Sequence, residues 1–159
     1  MDTALSRTIA EVEQQERELV LPSFTHDDAW RLGTFLVGLA IERRLVVVVD
    51  VRHGDQVAFH AARPGTSADN DSWIERKVRV VRRFGRSSYL AGLQAEARGT
   101  TFEAETRLPL QEYAGHGGAV PVRVAGVGQV GVVTVSGLAG SEDHALAVEG
   151  LRALLEGTA

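Results

Sequence analysis

The chain has 159 residues, of which 44% are hydrophobic and 24% charged, and its formal net charge is −4. This length and composition predict one globular domain spanning residues 1–159. The absence of cysteine excludes disulfides, thiolate metal sites and cysteine nucleophiles, and the acidic charge disfavours non-specific nucleic-acid binding. No secretory signal and no apolar run of about 20 residues is visible. We therefore expect a cytoplasmic protein with no nucleic-acid or membrane partner.

Two helices are predicted before the first strand. Apolar residues recur at helical spacing between positions 5 and 12, so residues 1–20 should carry an N-terminal helix that packs in an oligomer. The second helix, about residues 26–44, follows Thr25 and Asp28, which together form a variant of the capping box.

The second helix is apolar on two opposite sides. Trp30, Val37 and Ile41 occupy one side, and Leu32 and Leu36 lie on the other. A helix apolar on two sides must be covered on two sides. A sheet can cover one of them, and the N-terminal helix or a second subunit the other. The sequence therefore predicts a homo-oligomer, a dimer or larger.

Four strands are predicted in two pairs. Residues 45–52 form a β-branched run, and residues 56–62 alternate in polarity after a turn. Residues 119–124 and 129–136 form the second pair, and a last helix begins near Ser141. Paired strands separated by helices predict an α+β fold, with an antiparallel sheet of about four to five strands flanked by helices.

The second hairpin contains a dinucleotide-binding pattern. Residues 126–131 match G-x-G-x-x-G, but that motif needs a helix after the glycines to hold a pyrophosphate. Residues 132–135 predict a strand, so we interpret the glycines as a tight turn. The five histidines show no close metal-ligand spacing, and no catalytic constellation is visible.

A helix is predicted over residues 72–86, with a capping box formed by Ser72 and Glu75. Its apolar residues share one sector, and the opposite sector contains Arg76, Arg79, Arg82, Arg83 and Arg86. A charged sector is commonly solvated or matched by another subunit. Guanidinium groups also bind phosphate and carboxylate, so an anion-binding face is the second interpretation.

Lys77 projects among the apolar residues of this helix. Such a lysine either extends to the rim, which we expect, or has a buried anionic partner. The second case would make Lys77 part of a ligand or catalytic site. His116-Gly117-Gly118 enters a strand at a place where backbone can approach a ligand. The candidate ligand-binding residues are Trp73, Arg76, Lys77, Arg83 and His116.

Several segments together resemble a bacterial and fungal family of haem-degrading domain proteins within the GlcG-like group. They are Pro64-Gly65-Thr66, residues 69–71 with Trp73 and Arg76-Lys77, residues 83–88, residues 116–118 leading into 120–124, and residues 133–138 followed by 142–144. The resemblance spans about residues 16–151. It implies a profilin-like fold assembled into dimers or larger oligomers, with haem as one candidate ligand.

The residues and the resemblance lead to two functional hypotheses. In the first, the homo-oligomer binds a small anionic molecule, haem included, near Trp73, Lys77, Arg83 and His116. Arginine or lysine would pair with the propionates of haem, and an imidazole such as that of His116 would ligate its iron. In the second, the chain is a non-catalytic interaction or scaffold protein that assembles through its arginine face and its apolar helix.

Overall fold

The computed structural model describes residues 2–159. Six helices and five strands follow in the order α1 (Thr3–Glu18), β1 (Val20–Leu21), α2 (His26–Arg43), β2 (Val48–His53), β3 (Gln56–Ala62), α3 (Ala68–Phe84), α4 (Ser88–Ala97), α5 (Phe102–Thr106), β4 (Ala119–Val124), β5 (Gly128–Ser136) and α6 (Gly140–Glu156). None of the helices in this part of the chain is long and apolar enough to cross a membrane.

The five strands form one sheet in the order β1-β4-β5-β2-β3. The two predicted hairpins, β2–β3 and β4–β5, are present, and β2 pairs antiparallel with β5 between them. The predicted α+β class is confirmed. The sheet is mixed rather than purely antiparallel, because the two-residue strand β1 runs parallel to β4. A strand this short leaves no alternating pattern in the sequence.

A helical layer covers each face of the sheet. Helices α2 and α6 pack on one face, where alternate strand residues such as Val49, Val51, Val133 and Val135 form the main core. Helix α3 packs on the other face, against a smaller apolar cluster that includes Val48 and Val132. Because strand side chains alternate between the faces, the intervening residues of β2 and β5 point toward α3.

Helix α2 begins as predicted, but its second apolar side stays uncovered at Trp30 and Ile41, whereas Val37 of the same side packs against the main core. Thr25 and Asp28 form the capping box. Leu32 and Leu36 are fully buried, whereas Trp30 is 61% and Ile41 56% exposed. Helix α1 packs on α4, so it does not cover this side of α2. A second subunit as the cover stays a prediction.

Helix α3 starts earlier than predicted, and the proposed capping box of Ser72 and Glu75 is wrong. The N-cap is Ser67, whose side-chain oxygen accepts a hydrogen bond from the backbone N–H of Asp69 at 3.3 Å. In return, the Ser67 N–H donates to the side-chain oxygen of Asn70 at 3.0 Å. Ser72 lies inside the helix, and Glu75 pairs with Arg52 instead. The asparagine replaces the glutamate that the motif usually has at its third position.

The glycines of the G-x-G-x-x-G pattern form a turn, as predicted. Gly126 and Gly128 have positive φ values of 74° and 104°, a backbone region that glycine enters without steric cost. The chain then continues as β5 rather than as a helix. The dinucleotide interpretation therefore fails on the geometry that it requires.

Candidate functional site

Lys77 is buried between α3, β5 and α6, so the expectation that it extends to the rim is wrong. The residue is 3% exposed. Its Nζ donates to Asp143 Oδ2 at 3.2 Å and to the carbonyl oxygen of Val135 at 3.3 Å. The alternative interpretation, a buried anionic partner, is confirmed.

Asp143 is held from several directions in the first turn of α6. It is 2% exposed, and its carboxylate accepts backbone N–H groups from Leu138 at 2.9 Å and Gly137 at 3.3 Å. Burial raises the pKa of Asp143 above its ordinary value, an effect that Lys77 opposes. Burial likewise lowers the pKa of Lys77, and Asp143 opposes that shift. Desolvation therefore brings the proton affinities of the two groups closer together.

Gly118 makes room for this ion pair. Its φ of 140° is a conformation that side chains rarely adopt, and a Cβ there would lie 2.7 Å from Lys77 Nζ and 2.4 Å from the Val135 oxygen. The glycine before β4 thus allows backbone to pass directly over the lysine. The predicted approach of the His116-Gly117-Gly118 backbone to a ligand stays a prediction, since the contact seen here is with the Lys77 side chain.

A cavity of about 250 Å³ opens above the pair. Its lining consists of Asp69, Asn70, Trp73, Lys77, His116, Gly117, Ser136, Gly137, Leu138, Gly140 and Asp143. Three of the predicted residues, Trp73, Lys77 and His116, therefore lie together although they come from two distant segments. Ser136 is 3% exposed, and its hydroxyl makes no hydrogen bond within residues 2–159.

The two predicted arginines lie outside the lining. The Arg76 guanidinium stacks on the Trp73 ring, with its Cζ 3.9 Å from the ring centroid. Arg76 therefore lies next to a residue of the cavity lining without lining the cavity itself. Arg83 lies elsewhere on α3, where its Nη1 donates to the Tyr113 hydroxyl at 3.4 Å. Because 3.6 residues make one helical turn, positions 76 and 83 share a sector but lie two turns apart.

The start of α6 supplies polar backbone groups to the cavity. The N-cap residue is Ala139, which has no side-chain cap, and Gly140 lines the cavity. The first N–H groups of a helix have no partners within the helix, and they carry the positive end of its dipole. An oxyanion in the cavity would meet these groups.

A second, wider cavity of about 550 Å³ adjoins the first. It shares His116, Gly117 and Gly140 with the first cavity, and its apolar walls include Tyr89, Leu93 and Phe102. The His116 side chain is exposed and packs edge-on against Trp73, with the two ring centroids 5.2 Å apart. Its ring nitrogens make no hydrogen bond to the described residues, so the imidazole is free to bind a ligand.

A charged network lies under α3, beside the cavity. Asp50 is fully buried on β2 and accepts from Arg52 Nε at 2.9 Å, and Arg52 also pairs with Glu75. His60 Nδ1 lies 2.8 Å from Asp50, and His60 Nε2 lies 3.0 Å from Asp71. Both His60 ring nitrogens therefore have carboxylate partners, unlike the ring nitrogens of His116. No cluster of three or more metal-ligating side chains is present in residues 2–159.

Two residues that line the cavity, Asp143 and Ser136, are not among the residues predicted from the sequence. Their local patterns predict an acid in the first turn of a helix and the last residue of a strand, and nothing in those patterns marks a cavity. One signal in the composition concerns Lys77, which is the only lysine among the 17 lysine and arginine residues. A composition that uses arginine everywhere else makes this single amine notable.

Comparisons with known proteins identify the family. A UPF0303 protein of Streptomyces avermitilis is 57% identical over 150 residues, which cover 94% of this chain and 92% of the relative. A UPF0303 protein of Streptomyces coelicolor is 58% identical over 144 residues, covering 91% of each chain. The crystal structure of the Ybr137w protein superposes with a TM-score of 0.86 at 33% identity, covering 94% of this chain and 88% of that one.

Two more distant structures share the fold. The PduOC:heme complex matches with a TM-score of 0.67 at 15% identity, covering 82% of this chain and 94% of that one. The crystal structure of HbpS matches with a TM-score of 0.65 at 21% identity, covering 82% and 89%. The family model for haem degrading protein HbpS-like matches residues 24–152. The chain therefore belongs to the HbpS-like haem-degrading protein family.

Proposed function

We propose that the protein binds a small molecule bearing a carboxylate or another oxyanion in the 250 Å³ cavity. The observation that carries this proposal is the Ser136 hydroxyl, which lines the cavity without a hydrogen-bond partner in the described chain, together with the uncapped start of α6. A hydroxyl that faces a cavity without a protein partner can donate to a bound molecule, and an oxyanion would supply the acceptor. The helix start would add N–H donors and a favourable dipole.

The charges of the cavity refine this proposal. Asp143 already neutralises Lys77 at 3.2 Å, and Asp69 is a second carboxylate in the lining, so the lysine is not a free cation for the ligand. The oxyanion would therefore sit toward Ser136 and Gly140, and Arg76 beside Trp73 would add positive charge at the rim. A volume of about 250 Å³ is below the range of about 300–1,000 Å³ for pockets of drug-sized ligands. The cavity suits a compact acid.

Calorimetric titration with small carboxylic acids tests this function. We expect Ser136→Ala to weaken binding about 10- to 100-fold, the value of one hydrogen bond to a charged group. Thr134→Val is the matched control, because the Thr134 hydroxyl on β5 likewise has no hydrogen-bond partner but is buried and does not line the cavity. Equal affinities for the two variants, or no binding of any small acid by the wild type, would contradict the proposal.

Haem is a second candidate ligand, favoured by the exposed His116 imidazole between the two cavities. The combined space has apolar walls from Tyr89, Leu93 and Phe102, and Arg76 stands where a propionate could pair with it. His116 would hold the iron as a neutral imidazole. When bound, haem would supply redox-active iron, and these side chains would bind and orient the macrocycle.

Hemin titration separates this candidate from the compact acid. Haem binding predicts a Soret shift that saturates at one equivalent and is lost in His116→Ala, while His26→Ala, an exposed histidine on α2, leaves it unchanged. An unsaturable shift would refute haem binding, and a saturable shift that survives His116→Ala would refute His116 as the iron ligand. Either result would leave binding of the compact acid untouched.

We also propose that the protein assembles into a homo-oligomer through the uncovered side of α2. Trp30 and Ile41 are more than half exposed there, and large exposed apolar patches mark interaction surfaces. Light scattering of Trp30→Glu with Ile41→Glu should show a smaller mass than the wild type. The arginine-face hypothesis instead predicts that Arg79→Glu with Arg83→Glu dissociates the assembly. Whichever pair changes the mass identifies the interface, and an unchanged mass in both excludes both surfaces.

A further inference from the structure

We propose that Lys77 forms a covalent imine with a small carbonyl compound, an α-keto acid or an aldehydic acid, held in the cavity. This inference rests on the proposed function, because the same cavity must admit the small acid. It adds a reaction that simple binding does not need. The nucleophile is the lysine amine, and the partner that moves the protons is Asp143.

The side chain at position 77 is unusual for this protein. Lys77 is the only lysine of the chain, so arginine supplies the cation at every other basic position. Guanidinium groups stay protonated and are poor nucleophiles, whereas a buried lysine can lose its proton and attack a carbonyl. For a purely structural ion pair with Asp143, arginine would give a bidentate contact. The one amine side chain thus lies where a carbonyl could reach it.

The Lys77 amine lies where a molecule in the cavity could reach it. Lys77 lines the cavity, and its Nζ has two partners within the described chain, Asp143 and the Val135 carbonyl. A lysine ammonium has three donors, so one direction from Nζ remains without a protein partner. The Ser136 hydroxyl and the start of α6 line the same space, where they could hold the carboxylate next to the reacting carbonyl.

Asp143 can move the protons of the reaction, since imine formation needs a group that accepts and returns protons. Its Oδ2 lies 3.2 Å from Lys77 Nζ. Burial lowers the pKa of Lys77 and raises the pKa of Asp143, which reduces the free-energy cost of moving a proton from nitrogen to oxygen. General acid–base groups act over such hydrogen-bond distances.

The reaction balances without any oxidant or reductant. The Lys77 ammonium gives one proton to Asp143, and the nitrogen lone pair then attacks the carbonyl carbon. The carbonyl oxygen takes the proton from Asp143 as the C–N bond forms. A second N–H proton passes through Asp143 to the hydroxyl, which leaves as water, and the nitrogen lone pair forms the C=N bond. The products are a protonated imine at Lys77, an ionised Asp143 and one water.

Reductive trapping of the full-length protein tests the proposal. The protein is incubated with pyruvate or glyoxylate and sodium cyanoborohydride, and adducts are located by peptide mass spectrometry. Lactate and glycolate, which lack the carbonyl, are the matched controls and should give none. The α-amino group is the only other primary amine. Since its ordinary pKa is about 8 and that of lysine about 10.4, an unperturbed lysine would hold about 10²-fold less free amine.

We expect the Lys77 adduct to exceed the α-amino adduct, and Lys77→Arg to abolish it while the α-amino adduct persists. The same acids are titrated by calorimetry. Adducts confined to the α-amino group, with measurable lactate and pyruvate binding, would overturn the imine and leave the proposed function standing. A Lys77 adduct without lactate binding would support the imine and overturn oxyanion binding. Neither adduct nor binding would overturn both.

Discussion

Replacing Lys77 by methionine, which has a similar length, tests the buried ion pair most directly. The change leaves the Asp143 carboxylate 2% exposed, without its cation but with the N–H groups of Gly137 and Leu138. Removing one partner of a buried pair costs about 3–5 kcal/mol of unfolding free energy. For a chain of this size that corresponds to a fall in Tm of about 6 to 20 °C.

The loss should also depend on pH. The pKa of Asp143 is already raised by burial and would rise further without Lys77. An acid whose pKa is raised on folding costs no stability below its unfolded pKa, and the cost grows as pH rises toward its folded pKa. Lys77→Met should therefore lose more stability at pH 8 than at pH 5, as measured by urea unfolding followed by circular dichroism.

The double variant Lys77→Met with Asp143→Asn supplies the control. It removes both charges and should recover at least about half of the loss, because the cost arises from the unpaired carboxylate. A single-variant loss below about 1 kcal/mol, equal at both pH values, would refute the reasoning. That result would mean that Lys77 is solvated rather than buried against Asp143.

Two further predictions concern groups near the site. Burial lowers the pKa of His144 to about 4, so its neutral form stabilises the fold above its unfolded pKa of about 6.5, and about 3 kcal/mol should be lost as pH falls from 7 to 4. Urea unfolding should show this slope, and His144→Gln should flatten it; an unchanged slope would contradict it. Gly118→Ala would place a Cβ 2.4 Å from the Val135 oxygen and 2.7 Å from Lys77 Nζ. It should lower the Tm and abolish small-acid binding, whereas Gly126→Ala, also at positive φ but with nothing within 4 Å, should retain binding.

Local patterns were sufficient for most of the elements. Strand β3 has the predicted bounds and β4 likewise, because alternation and turn residues are short-range signals. Strand β2 starts three residues later than predicted, since the Leu45 N–H bonds to the Ala40 carbonyl and closes the end of α2. The predicted start of α3 is wrong because Ser67 and Ser72 are each followed, three residues later, by a side chain that can complete a capping box. Only the backbone conformation shows that Ser67 is the N-cap.

The amphipathic pattern by itself determined that Lys77 faces the interior, because helical spacing fixes the direction of a side chain relative to its neighbours. Which of two outcomes follows, a solvated amine or a buried pair, depends on what lies opposite. Asp143 is 66 residues away in sequence, and no local signal links the two. Only the packing of α3 and α6 around β5 brings them together, since long-range contacts follow from the topology of the sheet and not from periodicity.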